Sequence, residues 1–265
     1  MQRRIATLAR ATGLRRRDLA AVRMRTEREL LARFGYRKPA HGSRILCYHG
    51  VGTPSWGVND LTVRQFAEQL KFALALGYRF VSLEEAVCTN DPKLLAVTFD
   101  DGLVSVARNA VPVLRELGVP YTVFVVSEWA DGKHPFGDGV IMDWAELSHL
   151  AENGASIGSH SVNHPNFREI SAQEAARQLR DSRESISANL GLTPRAFAIP
   201  FGRSSDWTAA TSLAADLAGY DRILAQSEDA RPSGTIARTF VARSDTLLTF
   251  RAALEGAFDS WEEWC

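Results

Sequence analysis

Apolar strand-like runs and amphipathic helix-like segments alternate about seven times along the chain after residue 42. The run RILCY at 44–48 precedes a helical spacing that begins at Thr62, and the run LLAVTF at 94–99 precedes another that ends at Gly118. Runs as apolar as LLAVTF are typical of strands buried on both faces, as in parallel sheets covered by helices. The alternation therefore favours a parallel α/β architecture.

Two architectures satisfy this alternation, a closed barrel related to the (β/α)8 type and an open doubly wound sheet. Further strands are expected at 121–126, around Ile157, at 196–199, at 222–225 and near Thr239. In both architectures the carboxyl ends of parallel strands lie at one rim, where functional groups collect. The residues that directly follow each strand are therefore the candidates for chemistry.

The charge of the chain is unevenly distributed, although 31 basic and 31 acidic residues cancel overall. Residues 1–44 have a net charge of +10, so the remainder has a net charge of −10. We expect residues 1–42 to form a basic, helical arm and residues 43–265 to form one α/β domain. The arm either packs on that domain or makes a peripheral contact with an anionic membrane or a partner. Nucleic acid is not expected as a partner, because the sequence of the domain shows no basic patch.

A cytoplasmic location, with membrane association through the arm as an alternative, is expected from two absences. No apolar stretch approaches the ~20 residues that a membrane span needs, and the arm lacks the apolar region of a secretory signal peptide. The three cysteines are too few and too scattered for a disulfide framework. They are Cys47, Cys88 and Cys265.

Two adjacent carboxylates, Asp100 and Asp101, stand where the buried strand 94–99 ends, and Gly102 follows them. An aspartate at this position also serves as a helix N-cap, which is the structural alternative for a lone Asp-Asp-Gly. A catalytic interpretation needs further polar groups at neighbouring strand ends.

Such groups follow the strand expected around Ile157, where His160 and His164 are spaced i and i+4. Two imidazoles at this spacing can point the same way on one helical turn, as a metal site requires. With a carboxylate from another strand they would form a three-ligand set that leaves one position open, as in catalytic zinc sites.

Two more strand ends carry candidate groups. Pro200 has no N–H, so the first free backbone amide after that strand belongs to Phe201, which is placed to face a developing oxyanion. His49 follows the first strand, and a buried structural histidine is the alternative for it.

The motifs TFDDG (98–102), HSVNH (160–164) and PFG (200–202) together resemble those of the NodB-type polysaccharide deacetylases, carbohydrate esterase family 4. The resemblance covers about residues 43–257. It implies a distorted (β/α)7 barrel, and a hydrolase that uses a divalent metal to remove N-acetyl groups from N-acetylhexosamine units. The substrate would be a polysaccharide or a lipid-linked sugar precursor.

The resemblance also implies roles for individual residues. Asp101, His160 and His164 would bind Zn²⁺ or another divalent transition metal. Asp100 would stay off the metal and act as the general base, while the backbone amide of Phe201 would stabilise the oxyanion.

The chain departs from the family at two positions. Many members carry an arginine two residues before the motif proline, where this chain has Ala198; Arg238, at the start of the last strand, is the expected substitute. Many members also have a late histidine as general acid, and no histidine follows His164 here. His49 is the expected proton donor in its place.

Two other functions remain open from the sequence. The same scaffold could remove an O-acetyl or N-formyl group, or it could be a catalytically inactive carbohydrate-binding homologue, since two family motifs are altered. The retention of all three expected ligands and both aspartates favours an enzyme.

Overall fold

A computed structural model describes five stretches of the chain: residues 16–37, 42–53, 57, 59–226 and 233–259. The side chains of residues 16–20 and 204 are not part of this description. Predictions for the first fifteen residues of the arm, for His41 and for Cys265 lie outside the described residues.

Strands and helices alternate in the order that the sequence predicts. The strands are β1 (Arg44–Tyr48), β2 (Gly50–Val51), β3 (Asp60–Leu61), β4 (Arg79–Phe80), β5 (Leu94–Phe99), β6 (Tyr121–Val125), β7 (Ser156–Ser159), β8 (Ala196–Ala198), β9 (Arg222–Ala225), β10 (Ile236–Ala237) and β11 (Thr239–Phe240). The helices are α1 (Arg16–Phe34), α2 (Val63–Ala75), α3 (Leu83–Cys88), α4 (Val111–Leu117), α5 (Ser127–Ala130), α6 (Trp144–Glu152), α7 (Ala172–Leu190), α8 (Ala209–Ala218) and α9 (Leu247–Leu254). A π-helical turn (Val106–Ala110) leads into α4, and a 3₁₀ turn (Ser204–Asp206) precedes α8.

A parallel sheet runs in the order β10-β9-β8-β7-β6-β5-β1-β11, and β4 pairs with β5 beside this path. The two ends of the sheet, β10 and β11, are consecutive in the chain and are separated only by Arg238. Ile236 pairs with Leu224 of β9, whereas Phe240 pairs with Cys47 of β1. One segment of chain thus joins both ends, so the sheet nearly closes into a seven-stranded barrel. The expected (β/α)7 barrel is confirmed, and the open doubly wound sheet is wrong.

Side chains from alternate positions of the strands fill the two sides of the sheet. One cluster inside the barrel includes Ile45, Ala96, Phe124, Ala198 and Leu224. The intervening residues of β1, β5 and β6 join a larger cluster that packs beneath the helices. Those of β8 and β9 join another cluster, which packs against α7 and α8. This period-two division is what strands buried on both faces require. It leaves the carboxyl ends of the strands as the place where polar side chains can gather.

Capping residues that are visible in the sequence set the helix starts. Thr62 and Gln65 form a capping box at α2, and Asp143 and Glu146 form another at α6. At the other end of a helix, Gly118 adopts a left-handed conformation (φ 64°) that ends α4. These local signals fix the helices within about a residue of their expected bounds.

The helix α1 lies against the part of the chain that follows β11. Arg28 is buried there, with bonds of 2.8 and 2.5 Å to the two carboxylate oxygens of Asp245 and one of 3.1 Å to the Phe240 carbonyl. Ala32 packs with Ala252 of α9 and with Phe258. Within the described residues, no helix is both long and apolar enough to cross a bilayer.

Candidate metal centre

Four non-glycine residues of the described chain have left-handed backbone conformations, and all four follow the ends of β5, β7 and β8. They are Asp101 (φ 71°), Ser161 (φ 73°), His164 (φ 58°) and Phe201 (φ 62°). Each such conformation costs on the order of 1–3 kcal/mol, and surrounding structure must offset that cost. Backbone strain of this kind concentrates at functional sites, and here it marks the carboxyl rim of the barrel.

Three side chains at this rim form a potential set of metal ligands. One ligand atom from each of Asp101, His160 and His164 lies within 4.8 Å of the others. Asp101 Oδ1 lies 3.8 Å from His160 Nε2 and 3.7 Å from His164 Nε2. Two atoms bound about 2.1 Å from one tetrahedral ion lie roughly 3.4 Å apart, so these separations are close to those of a loaded site.

The segment 160–164 is not a helical turn, so the expected reason for the convergence of its two histidines is wrong. Left-handed conformations at Ser161 and His164 break the helix, and a turn brings the rings together instead. The His164 N–H donates to Ser161 Oγ, and the Val162 N–H donates to Gln178 Oε1 of α7. These two hydrogen bonds stabilise the strained turn.

The rings are oriented as metal ligation requires. His160 Nδ1 lies 2.8 Å from the Ala198 carbonyl oxygen, so Nδ1 donates its hydrogen there. In the neutral ring, Nε2 then carries the lone pair and faces Asp101. A set of two imidazole nitrogens and one carboxylate oxygen suits zinc and related divalent cations. The residues present therefore fit a divalent metal ion.

Asp100 lies beside this set but is bound to another partner. Arg238 forms a two-pronged ion pair with it, at 2.6 Å to Oδ1 and 2.8 Å to Oδ2, and both side chains are buried. The guanidinium lies over the Phe124 ring inside the barrel, with 5.5 Å between its carbon and the ring centroid. The arginine that fixes Asp100 therefore comes from the seam between β10 and β11.

The protonation states of the site follow from this arrangement. Burial raises the pKa of Asp100, but the positive charges of Arg238 and His160 outweigh it and hold that pKa well below its usual range. Burial, assisted by the charge of His160, lowers the pKa of His164 to about 4. At neutral pH Asp100 is therefore an anion, and the His164 ring is uncharged with a lone pair available for a metal.

His49 lies at the same rim and is buried. Its charge, when it is protonated, lowers the pKa values of both Asp100 and His164, which places it near both groups. Its ring meets Phe240 edge to face, with 6.0 Å between the ring centroids. Within the described chain Nδ1 of His49 has no hydrogen-bond partner.

Cys47 also touches the site, and the sequence analysis did not identify it as a site residue. Its buried thiol lies 3.6 Å from Asp100 Oδ2 and donates to that carboxylate. Burial raises the pKa of Cys47 well above its usual value, so the sulfur keeps its hydrogen. The available signal was its position two residues before His49, since residues two apart in a strand share a face.

Aromatic rings flank the more exposed ligand, His164. Trp129 stacks on it with 5.4 Å between centroids, and Phe201 meets it edge to face at 4.8 Å. Phe136 packs against the far side of Trp129, at 5.1 Å between centroids. The Trp129 and Phe136 side chains also line a surface cavity of about 430 Å³. Aromatic side chains thus form the wall of the site on the His164 side.

Comparison with known proteins places this site in a family. A family model described as polysaccharide deacetylase matches residues 88–223, just over half of the chain. That range contains five of the seven expected site residues; His49 and Arg238 lie outside it.

Individual relatives are distant and mostly longer. The chain is 26% identical over 184 residues to YxkH of Bacillus subtilis, which covers 66% of this chain and 61% of that protein. It is 28% identical over 123 residues to the peptidoglycan-N-acetylglucosamine deacetylase PgdA of Listeria monocytogenes, covering 46% of this chain and only 24% of PgdA. The matched regions thus span less than two thirds of the length of either relative.

A solved structure, that of IcaB from Ammonifex degensii, matches with a TM-score of 0.67 and 26% identity. The match covers 83% of this chain and 99% of that one. The barrel and its rim are therefore shared over nearly the whole of the solved relative.

Proposed function

Because the chain belongs to the polysaccharide deacetylase family, we propose that it is a metal-dependent hydrolase that removes N-acetyl groups from N-acetylhexosamine units. The substrate would be a polysaccharide or a lipid-linked sugar precursor. The observation that carries the proposal is the assembly of Asp101, His160 and His164 around a common point. Asp100 stands beside this set, ionised and held by Arg238 rather than by the ligands.

Asp101, His160 and His164 would hold the ion, and Zn²⁺ is the cation that this ligand set suits best. A bound divalent cation supplies Lewis acidity, which polarises a carbonyl group and makes water more acidic. The ligand set leaves solvent access on the side of His164, which is only partly buried.

Asp100 is the proposed general base, because Arg238 fixes it beside the ligand set. Arg238 holds both of its oxygens, so the carboxylate has a single orientation. Its lowered pKa keeps it ionised at neutral pH, and therefore ready to accept a proton from the attacking water. The same interaction weakens its basicity, which is the cost of fixing it so firmly.

The tetrahedral state needs a donor that stabilises its oxyanion, and its collapse needs an acid that protonates the leaving amine. The backbone N–H of Phe201 is the proposed donor, since it follows Pro200 at the rim and its conformation is unusual (φ 62°). His49 is the proposed acid for the leaving amine, because it lies near Asp100 and its Nδ1 has no hydrogen-bond partner within the described chain. Acid catalysis of this step is worth roughly 10²–10⁴ in rate.

An N-acetylated sugar is the proposed substrate class for two reasons. PgdA is named as a deacetylase of N-acetylglucosamine in peptidoglycan. In addition, Trp129, whose ring stacks on His164, lines a surface cavity together with Phe136, and a sugar unit could lie in this cavity next to the ligand set. Chain length and linkage are left open by both observations.

The proposal is tested by measuring acetate release from N-acetylated chito-oligomers before and after removal of metal by a chelator. We expect release that the chelator abolishes and that added Zn²⁺ restores. Matched O-acetyl and N-formyl sugars extend the panel. Preference for the O-acetyl sugar would change the assigned leaving group from an amine to an alcohol, and preference for the N-formyl sugar would change the assigned acyl group. An Asp101→Asn variant provides the control, since it should bind no metal and release no acetate. Undiminished release after complete removal of metal would refute the metal-dependent mechanism.

A further inference from the structure

The helix α1 has a second apolar face that nothing in the described chain covers. Its inner face packs Met24, Arg28 and Ala32 against the barrel. On the opposite side, Leu30 is 53% and Phe34 is 81% exposed. Single exposed apolar side chains are common on a monomer, whereas several that adjoin one another mark a contact surface.

The exposed apolar residues lie together on the helix. At 100° per residue, Val22, Leu30 and Phe34 fall within an arc of about 120°. Tyr36, which follows the helix, extends the same end and is 79% exposed. We call this set of four side chains the outer stripe of α1. It lies on the solvent side of a helix whose other face packs against the barrel.

Cationic side chains border the outer stripe. Arg23 and Arg33 are both exposed beside it. Arg23 pairs with Glu27 at 2.6 Å, and Arg25 pairs with Glu29 at 3.0 Å. Arg33 forms no ion pair within the described residues. Residues 1–44, which include the arm, have a net charge of +10, whereas the rest of the chain has a net charge of −10. Positive charge is thus concentrated on the part of the molecule that bears the exposed apolar side chains.

We propose that the outer stripe of α1 docks on an anionic lipid surface. A helix with apolar side chains on one face and arginines beside them lies in the headgroup region of a bilayer, where apolar burial and attraction to anionic lipids act together. A second copy of this chain fits the stripe less well. A stable dimer buries about 800 Å² on each partner with some 20–30 residues, far more than four apolar side chains supply.

The proposal concerns where the barrel resides and does not depend on its chemistry. The stripe lies outside the matched family region 88–223, and no residue of it contacts the metal centre. Docking through α1 would hold the enzyme beside membrane-attached sugars, while soluble substrates would reach the rim as before.

The test is sedimentation of the full chain with two kinds of vesicle, one of phosphatidylcholine alone and one of phosphatidylcholine and phosphatidylglycerol in equal parts. We expect the wild type to bind the anionic vesicles, and binding to weaken with added salt. The double variant Leu30→Gln, Phe34→Ser should bind at least about 10-fold more weakly, because two large apolar side chains no longer enter the lipid.

Leu213 and Leu217 of α8 provide a matched control, since they are 61% and 81% exposed but lie on the acidic part of the chain. The variant Leu213→Gln, Leu217→Ser should bind vesicles as the wild type does. If both double variants melt at the wild-type temperature, any loss of binding is not caused by a loss of folding. This test of vesicle binding is independent of whether the chain releases acetate.

Three results would overturn the proposal. The first is equal binding of the wild type to neutral and anionic vesicles, or no binding to either. The second is undiminished binding by the variant of the outer stripe. The third is a dimer of the wild type, seen by sedimentation velocity, that the variant does not form. The stripe would then be an interface between two copies of the chain.

Discussion

Two buried arginine–aspartate pairs lie in different parts of this molecule, and their distances and burial are nearly identical. Arg238 binds both oxygens of Asp100, at 2.6 and 2.8 Å, at the rim of the barrel. Arg28 binds both oxygens of Asp245, at 2.8 and 2.5 Å, between α1 and the chain after β11. Geometry and burial do not distinguish them, so the pairs alone do not reveal which one is functional.

The surroundings of the two carboxylates make the difference. Asp245 also accepts the Ala242 N–H, and its arginine donates to a carbonyl and packs on the Phe258 ring at 4.2 Å. Asp100 instead faces His160, whose Nε2 lies 3.7 Å from Oδ2. The Arg28–Asp245 pair joins α1 to the chain after β11, whereas the Arg238–Asp100 pair holds an anion in a fixed position beside the proposed metal ligands.

Replacing each aspartate by asparagine separates the two roles, and the largest effect is expected at Asp100. Asp100→Asn removes the proposed proton acceptor but keeps the size of the side chain, so kcat for acetate release should fall by about 10³-fold, within the range for a general base. Asp245→Asn should leave kcat per folded molecule within about 2-fold. Equal kinetic losses in the two variants would show that the pairs do not differ in role.

Loss of one arginine at the fastening pair should act on stability. Arg28→Met leaves Asp245 buried without its counter-charge, and breaking a buried pair in this way costs about 3–5 kcal/mol. Urea unfolding would measure the loss. The double variant Arg28→Met, Asp245→Leu should recover most of it, because no charge remains buried. If the double variant is as unstable as the single one, the ion pair is not what holds α1.

Acid should destabilise the rim through His164. Burial lowers its folded pKa to about 4, whereas a histidine in an unfolded chain titrates near 6.5. The unfolded state therefore binds a proton that the folded, metal-free state does not, and stability falls as pH drops from about 6.5 to 4. The full loss is on the order of 3 kcal/mol.

Denaturant titration of the metal-free protein across this pH range measures the effect. His164→Gln should flatten it, whereas His149→Gln, which changes an exposed histidine of α6, should not. The same pH slope in the His164 variant would assign the acid sensitivity to another group.

A subtler change at the rim sharpens the contrast further. Arg238→Lys keeps the charge but loses the planar fork that holds both oxygens of Asp100. We expect kcat to fall by roughly 10-fold with little change in KM, since substrate contacts are retained and only the orientation of the Asp100 carboxylate becomes less restricted. An increase in KM at constant kcat would place Arg238 in substrate binding.

The sequence was sufficient to predict the barrel, since its local signals act over short distances. Strand runs such as Leu94–Phe99 and capping pairs such as Asp143 with Glu146 lie where they were expected. The split of the last strand at Arg238 was not foreseen, because two short pairings with opposite ends of a sheet leave no periodic pattern. The left-handed turn at 161–164 was also missed, since its stabilising partner Gln178 lies on a helix after the motif.

The sequence likewise predicted some residues of the site and missed others. Asp101, His160 and His164 were identified because their motif spacing is specific, and the structure brings them together. Arg238 was identified only as a substitute for a missing arginine, and its contact with Asp100 depends on barrel closure, which no local pattern encodes. Cys47 went unnoticed because its one signal, a position two residues before His49, is weak for a lone cysteine.

Anomalous X-ray scattering at the zinc edge, from a crystal grown with Zn²⁺, tests the central claim most directly. The account predicts one peak per chain, within bonding distance of Asp101, His160 and His164, with the Asp100 carboxylate outside that distance and still paired with Arg238. A peak bound by Asp100 in place of Asp101, or no peak among these side chains, would contradict it.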